Sequence, residues 1–289
     1  MGLFSNLFGK KKITVALDSP SVPSPGAEIN LSVFLLFSKA PSFDQKALDQ
    51  GMETQFGPAM TSSMVAATSE GVFGHLQFGQ DEMMLAQLDV PIPPQVLKPI
   101  LAVCHFGQDD KLLFHINKCH FLLTYKGNGV APTVAMDRIY NAIGVLVGLE
   151  GSAIGVVNEN AMTAHRTTQL QNIQSERSKS TTSAMPMMTW MAWTGGFVKY
   201  LLDDKHIWFV TKGNHQFGLP ELAYLGAPTD MIAVMDLFFP LFNYMYFYQA
   251  KLAPGHTIDL GQQKLRISAL KEHRDMLEGK FGTLVVNKI

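Results

Sequence analysis

The stretch Ile29-Asn-Leu-Ser-Val-Phe-Leu-Leu-Phe37 is a short apolar run, rich in strand-forming residues, and it predicts a mostly buried strand. Residues 43–56 follow with apolar side chains at helical spacing, and Ser42 before them is a candidate N-cap. A hairpin comes next, with strands predicted at 72–78 and 82–90. Together these segments predict a β-α-β-β unit.

A similar order of elements recurs further along the chain. Residues 93–104 are helical in type, 119–125 form a strand pattern, 132–148 are helical again, and 153–157 form another strand pattern. The recurrence predicts an α+β fold with two ferredoxin-like β-α-β units and mainly antiparallel sheets. The prediction rests on element order, since the two segments share no visible sequence identity.

The last third of the chain is β-rich. We predict strands at 190–198, 206–211, 223–225, 256–260, 264–268 and 283–287. The apolar segment 231–250 is long enough to cross a membrane, but Asp236, Pro240 and Asn243 fall near its middle. A buried core helix, kinked or broken at Pro240, is therefore preferred over a membrane span.

These patterns divide the chain into four parts. Residues 1–28 are predicted to be a flexible leader, 29–162 an α+β domain, 163–189 a polar loop or linker, and 190–289 a C-terminal α+β region. Apolar residues followed by three lysines at the start of the leader leave open an amphipathic turn at a membrane surface.

Composition excludes several classes of function. The net charge of the 289 residues is -1, so no general positive field attracts a nucleic acid, and we expect no such partner. Two cysteines do not make a disulfide framework, and no secretory signal is visible. These features predict a cytoplasmic protein without a transmembrane segment.

One cluster of residues has the chemistry of a metal site. Cys104, His105, His115, Cys119 and His120 offer the thiolate and imidazole groups that Zn²⁺ prefers. The chain has no Cys-x-x-Cys pair, and neighbouring residues of a strand point to opposite faces, so Cys119 and His120 would not bind one ion. Buried cysteines and hydrogen-bonded histidines are the preferred interpretation, and no metal or other cofactor is predicted.

The loop at 213–221 is the strongest candidate for a functional site. Asn214, His215, Gln216 and Glu221 supply donors, acceptors and a titratable pair within nine residues. The glycines of this loop allow unusual backbone angles and close approach of a ligand. The alternative is a structural turn in which Glu221 pairs with a buried partner.

Aromatic residues stand close to this loop in the sequence. Trp193 is a candidate for a pocket or a partner interface, together with Trp190. If residues 190–198 form a strand, these two side chains lie on opposite faces, and at least one belongs to the core.

Three stretches resemble a known family. They are His120-Phe-Leu-Leu-Thr-Tyr125 with Ala153-Ile-Gly-Val-Val157, Gly213-Asn-His-Gln-Phe-Gly-Leu-Pro-Glu-Leu222, and Pro254-Gly-His-Thr-Ile-Asp-Leu-Gly261. From about residue 119 onward, and most clearly over 190–289, the chain is similar to DUF4261, a bacterial domain of unknown function. In the third stretch two extra residues precede the final glycine of the family's Gly-x-Thr-Ile-Gly turn. The resemblance implies a bacterial cytoplasmic protein, but it implies no activity.

Two functions follow from these observations. The first is a non-catalytic protein-interaction factor with an immunity, chaperone or accessory role in a conflict or secretion locus. It is suggested by the polar, Met-rich segment 163–191 and by the lack of a recognisable catalytic set. The alternative is an enzyme or small-ligand-binding protein that uses the 213–221 loop with His120 and His215. The sequence alone favours the first and predicts no oligomeric state.

Overall fold

The computed structural model describes residues 28–68, 71–104, 108–172, 187–194, 197–261 and 263–289. Within these ranges the chain forms two sheets with helices packed against both. The predicted α+β class is therefore confirmed.

The first sheet has seven strands, and each runs antiparallel to its neighbours. The strands are β1 (Ile29–Phe37), β2 (Ser62–Thr68), β3 (Gly71–Phe78), β4 (Asp81–Leu88), β5 (Cys119–Gly127), β6 (Ala153–Asn158) and β7 (Thr163–Arg166). Their spatial order is β2-β3-β4-β5-β1-β6-β7. Strand β1, the first predicted strand, thus lies in the interior of the sheet, where it pairs with β5 on one side and β6 on the other.

Helices cover this sheet on both faces. They are α1 (Gln45–Phe56), α2 (Pro94–Val103), α3 (Gln108–His115) and α4 (Pro132–Leu149). The apolar residues of α1 at helical spacing, Leu48, Met52 and Phe56, are buried in the main core with α4. On the opposite face, α2 and α3 form a smaller apolar cluster over β1, β6 and β7. The outer face of β3 and β4 has no such cover among the described elements, since Phe73 and Met84 are exposed there.

The second sheet has six strands and contains one parallel pair. The strands are β8 (Val198–Leu201), β9 (Ile207–Val210), β10 (Glu221–Gly226), β11 (Thr257–Asp259), β12 (Lys264–Ala269) and β13 (Thr283–Lys288). Their order is β11-β12-β13-β10-β9-β8, and β10 runs parallel to β13 with Glu221 opposite Thr283. Because parallel strands start at the same edge of a sheet, the loops that precede β10 and β13 lie side by side.

One apolar core joins the two sheets. Helix α5 (Met187–Thr194), helix α6 (Met231–Phe247) and the short helix α7 (Arg274–Leu277) belong to the C-terminal half. Phe238 of α6 packs edge-on against Phe197, and Phe242 packs edge-on against Phe217. Both phenylalanines of α6 belong to an apolar cluster that continues into the first sheet. Helix α6 passes through Pro240 without ending. No helix in the described parts of the chain has the length and apolar character needed to cross a membrane.

Four predictions differ from the structure. Residues 190–198 were expected to form a strand, but most of them belong to helix α5, and helix α3 at Gln108–His115 was not predicted. Strand β2 was not predicted. The two ferredoxin-like units are not confirmed as separate units, because the strands assigned to both lie in the same seven-stranded sheet.

Candidate functional site

The carboxylate of Glu221 holds the 213–221 loop together. Only 1% of this side chain is exposed. Its Oε2 accepts hydrogen bonds from the Thr211 hydroxyl at 2.6 Å and the Asn214 amide at 3.3 Å, while its Oε1 accepts from the His215 amide at 3.2 Å and from His215 Nδ1 at 2.9 Å. The Thr211 hydroxyl and the two backbone amides are donors, and an ionised carboxylate, which only accepts, also accepts a hydrogen bond from Nδ1–H of His215.

The backbone of the loop is a single 3₁₀ turn over Asn214–Phe217, closed by Gly218. Gly218 has a φ of 73°, a left-handed conformation that favours glycine, whereas Gly213 has an ordinary φ of -116°. Unusual backbone angles were expected at the loop glycines, and of Gly213 and Gly218 only Gly218 has one. The Asn214 side-chain amide donates to the Pro220 carbonyl at 3.2 Å, and it is fully buried. Asn214 is therefore part of the loop's internal structure.

Neighbouring residues fix this loop against the rest of the second sheet. A Cβ added to Gly279 would lie 2.4 Å from Cγ of Glu221, so only glycine fits beside the carboxylate. The Lys212 ammonium donates to the Met276 carbonyl at 2.6 Å. Burial lowers the pKa of Lys212, and the nearby charge of Glu221 acts in the opposite direction.

The loop borders a cleft of about 420 Å³ at the junction of the two sheets. The lining comes from the start of β1, the start of α4, the β6–β7 turn, the 3₁₀ turn, α6 and the loop before β13. The residues are Glu28, Ile29, Asn30, Leu31, Val130, Pro132, Asn160, His215, Gln216, Phe217, Gly218, Tyr246, Lys280 and Phe281. Clefts of this volume, with apolar walls and a few polar groups, are typical of small-ligand sites.

Side-chain contacts between the two halves of the chain surround the cleft. The Tyr246 hydroxyl donates to Thr133 Oγ1 at 3.4 Å and accepts from the Thr133 amide at 3.4 Å. The Asn158 amide, at the end of β6, donates to Gln216 Oε1 at 3.4 Å. The shape of the cleft therefore depends on both sheets.

His215 is the group in this cleft that is best oriented for chemistry. Its Nδ1 proton is committed to Glu221, so the neutral ring presents Nε2 as an acceptor and the protonated ring presents Nε2 as a donor. About a quarter of the side chain, 23%, is exposed. A histidine held on one nitrogen by a buried carboxylate has a fixed tautomer and ring direction. The arrangement can accept a proton from a bound molecule or donate one to it.

His120 lies elsewhere in the fold. It is a buried residue of β5, where its Nδ1 donates to the Val90 carbonyl at 2.8 Å and its ring packs edge-on against Phe34. Burial lowers the pKa of His120, and the hydrogen bond to Val90 opposes this shift. It does not line the cleft, so the structure does not bring His120 together with His215 there.

The cysteine and histidine candidates for a metal site are dispersed. Cys119 is buried in the main core, on the face of β5 opposite to His120, and its thiol lies 3.4 Å from Asp89 Oδ1. Burial, with the nearby Asp89, raises the pKa of Cys119 to about 12. Cys104 is half-buried, its thiol donating to the Leu101 carbonyl at 3.4 Å, and His115 is exposed at the end of α3.

His105 lies outside the described residues. Within the described ranges, no group of three His, Cys, Asp or Glu side chains is placed to hold a metal ion.

The tryptophan candidates take different places. Trp190 is fully buried in α5 and packs against Phe239 and Phe242. The side chain of Trp193 lies outside the part of the chain that the structure describes. Since both residues belong to a helix, the expected division of the pair between two strand faces is wrong.

Several residues of the cleft were not anticipated from the sequence. Lys280 and Phe281 reach it from the turn before β13, and Asn30, Asn160 and Tyr246 reach it from three other elements. The turn carries a recognisable signal, because glycines stand on both sides of Lys280-Phe281 and the second has a φ of 81°. Its position beside His215 follows only from the parallel pairing of β10 with β13.

A second surface feature lies on the outer face of β2, β3 and β4. It is an apolar groove lined by Val65, Ala66, Phe73, Gly74, His75, Met84, Leu85 and Ala86. Phe73 is 47% exposed and Met84 38% exposed. Together these side chains form a small exposed apolar patch on one face of the sheet.

The edge of the same sheet at β2 is covered by a side chain. The amide of Gln45, at the start of α1, donates to the Val65 carbonyl at 2.6 Å and accepts from the Ala67 amide at 2.5 Å. These are the two bonds that a residue of a further strand would form, so Gln45 occupies part of the edge that a pairing strand would need.

Comparison with known proteins finds a family match for one segment of the chain. Residues 210–286 match the model of the family described as Domain of unknown function (DUF4261). The matched segment includes the 213–221 loop and the turn at 254–261, which confirms the resemblance for these two stretches; the stretch that begins at His120 lies outside it. No curated protein and no solved structure matches the chain.

Proposed function

We propose that this protein binds a small molecule in the cleft between its two sheets, with His215 as the principal polar contact. A single observation supports this proposal: a buried carboxylate, Glu221, holds one nitrogen of His215 and leaves the other for a molecule in the cleft. The cleft provides apolar side chains for the body of the ligand and polar side chains from several elements around it.

A fragment screen tests this proposal. Ligand-observed NMR would be used to screen small polar fragments against the wild-type protein, the His215→Ala variant and a His206→Ala control. His206 also pairs with a carboxylate, Asp203, at 2.9 Å, but it is half-exposed and outside the cleft. We expect fragments that bind the wild type and the control but not His215→Ala. If every fragment hit binds the two variants equally well, the cleft is not a ligand site centred on His215.

A role as a protein-interaction factor is the second candidate function. The apolar groove on β2–β4, with exposed Phe73 and Met84, favours it. Residues 173–186 of the segment 163–191, which first suggested this role, lie outside the described residues. An immunity, chaperone or accessory role remains part of this second proposal.

Partner capture tests the second candidate. The tagged protein would be purified from its host beside a Phe73→Asp variant and a Leu201→Asp control, which changes an exposed leucine on β8. We expect one partner to be recovered in equal amount with the wild type and the control and to be lost with Phe73→Asp. Equal recovery with all three proteins would exclude the groove as the interface.

The cellular location is also a proposal. Two cysteines, both free thiols, and the resemblance to a bacterial family support a bacterial cytoplasmic protein. Fractionation of the host, followed by detection of the protein in the cytoplasmic fraction, would test this.

A further inference from the structure

The charged groups of the cleft come mainly from the two loops that the parallel strands bring together. His215 precedes β10, and Lys280 precedes β13. The third charged residue of the lining is Glu28, which is exposed at the start of β1. The remaining polar side chains of the lining are the amides of Asn30, Asn160 and Gln216 and the hydroxyl of Tyr246.

The side chains of His215 and Lys280 differ in the contacts that they already make within the protein. His215 donates its Nδ1 proton to Glu221, and its Nε2 forms no hydrogen bond within the described residues. Lys280 is exposed, and its ammonium lies 5.5 Å from the ring centre of Phe281; it forms no ion pair with any described carboxylate. Two nitrogen groups on adjacent loops are therefore available to one molecule in the cleft.

We propose that the ligand of this cleft carries an anionic group, a carboxylate or a phosphate, which binds between the Lys280 ammonium and Nε2 of His215. This inference rests on the proposed ligand-binding function and adds the chemical class of the ligand. Buried Glu221 balances the charge of a protonated His215, so that the ring can donate Nε2–H to the anion while Nδ1–H remains on the carboxylate. The apolar part of the ligand packs against Val130 and Phe281.

Glu28, the negatively charged residue of the cleft lining, provides a second variant for testing this proposal. Glu28 repels an anion in the same space, so its removal strengthens binding, whereas removal of Lys280 weakens it. Both side chains are exposed, so neither substitution disturbs the core. Lys288 is the matched control for Lys280: it is an exposed lysine of β13, and its ammonium lies 5.4 Å from the Tyr224 ring centre, away from the cleft.

The experiment is an NMR titration of histidine side-chain nitrogens with two probes, inorganic phosphate and acetate. We expect at least one probe to shift the His215 signals in the wild-type protein. Lys280→Met is expected to raise the Kd roughly fivefold, the upper range for an exposed ion pair. Glu28→Gln is expected to lower it about twofold, and Lys288→Met to leave it unchanged. The probe with the lower Kd identifies the anionic group.

The outcomes separate the two proposals. If neither probe moves the His215 signals, or if Lys280→Met and Lys288→Met bind the probe equally well, the anionic class is wrong. Ligand binding in the cleft then still stands if the fragment screen yields neutral compounds that His215→Ala no longer binds. If no fragment and no anion depends on His215, both proposals are wrong.

Discussion

Replacement of Glu221 by glutamine tests whether the buried carboxylate organises the site. Glutamine has nearly the same shape, but it presents one amide nitrogen where the carboxylate presents an oxygen. Whichever way the amide turns, two of the four donors face an NH₂ group: either Thr211 with the Asn214 amide, or the two donors of His215. Thr211 and Nδ1 of His215 can each become an acceptor, but the backbone amides of Asn214 and His215 can only donate, so one of these amides always faces the NH₂ group.

The expected loss of folding stability in Glu221→Gln follows from the burial and the charge of the carboxylate. At least one backbone amide loses its charged acceptor and remains beside a donor. Loss of a hydrogen bond to a charged acceptor costs about 1.5 to 3 kcal/mol, and we expect a loss of stability in this range. Such a loss is a large part of the stability of an ordinary domain, which is about 5–15 kcal/mol.

Urea unfolding followed by circular dichroism measures this loss. The control is Glu82→Gln: Glu82 also pairs with a histidine, His75, at 3.0 Å, but its side chain is 39% exposed. We expect the control to lose less than about 1 kcal/mol. If Glu221→Gln is destabilised no more than Glu82→Gln, then the Glu221 carboxylate does not hold the loop, and the orientation of His215 must have another cause.

Three further predictions concern groups outside the cleft. Because burial raises the pKa of Cys119 to about 12, we expect its thiol to resist Ellman's reagent until the protein unfolds. Because burial lowers the pKa of His120, the unfolded chain binds a proton more readily than the folded protein does. Stability therefore falls as the pH drops below about 6.5, and His120→Gln should show a smaller fall in urea midpoint between pH 7 and pH 5. Replacement of Gln45 by methionine leaves the Val65 carbonyl and the Ala67 amide without their partner, and sedimentation velocity should detect more self-association than in the wild type.

Each of these predictions can be contradicted by its own measurement. Native Cys119 labelled as fast as a small-molecule thiol would show that the core opens readily around it. An unchanged pH dependence in His120→Gln would mean that other groups dominate acid sensitivity. Equal monomer fractions for the wild type and Gln45→Met would show that the edge of β2 is protected in some other way.

Local patterns predicted most of the secondary structure. Long apolar runs such as 29–37 and helical spacing such as that of Leu48, Met52 and Phe56 depend only on neighbouring residues, and the structure agrees with them. Strand β2 was missed because Ser62–Thr68 contains mainly small residues and gives little apolar signal. Helix α5 was mistaken for a strand because its tryptophans and methionines are apolar on every side, so no period distinguishes a helix from a strand.

The candidate site was only partly predictable. Asn214, His215 and Glu221 were grouped because they lie close together in the sequence, and in the structure Glu221 is hydrogen-bonded to the other two. Lys280 could not be assigned to them, because a parallel pairing between β10 and β13 has no local signature in the sequence. His120 was assigned to the site on residue type alone, and its burial beside Val90 shows that residue type was not enough.

The continuous core has a consequence for attempts to divide the protein. Helix α6 packs its aromatic side chains in the cluster that also contains β1 and α4, and Tyr246 is hydrogen-bonded to Thr133. A cut within 163–189, the predicted linker, would separate two fragments that each expose part of this apolar surface. We therefore expect cooperative unfolding in one transition, and we expect that fragments produced by limited proteolysis within 163–189 will remain associated unless denaturant is added.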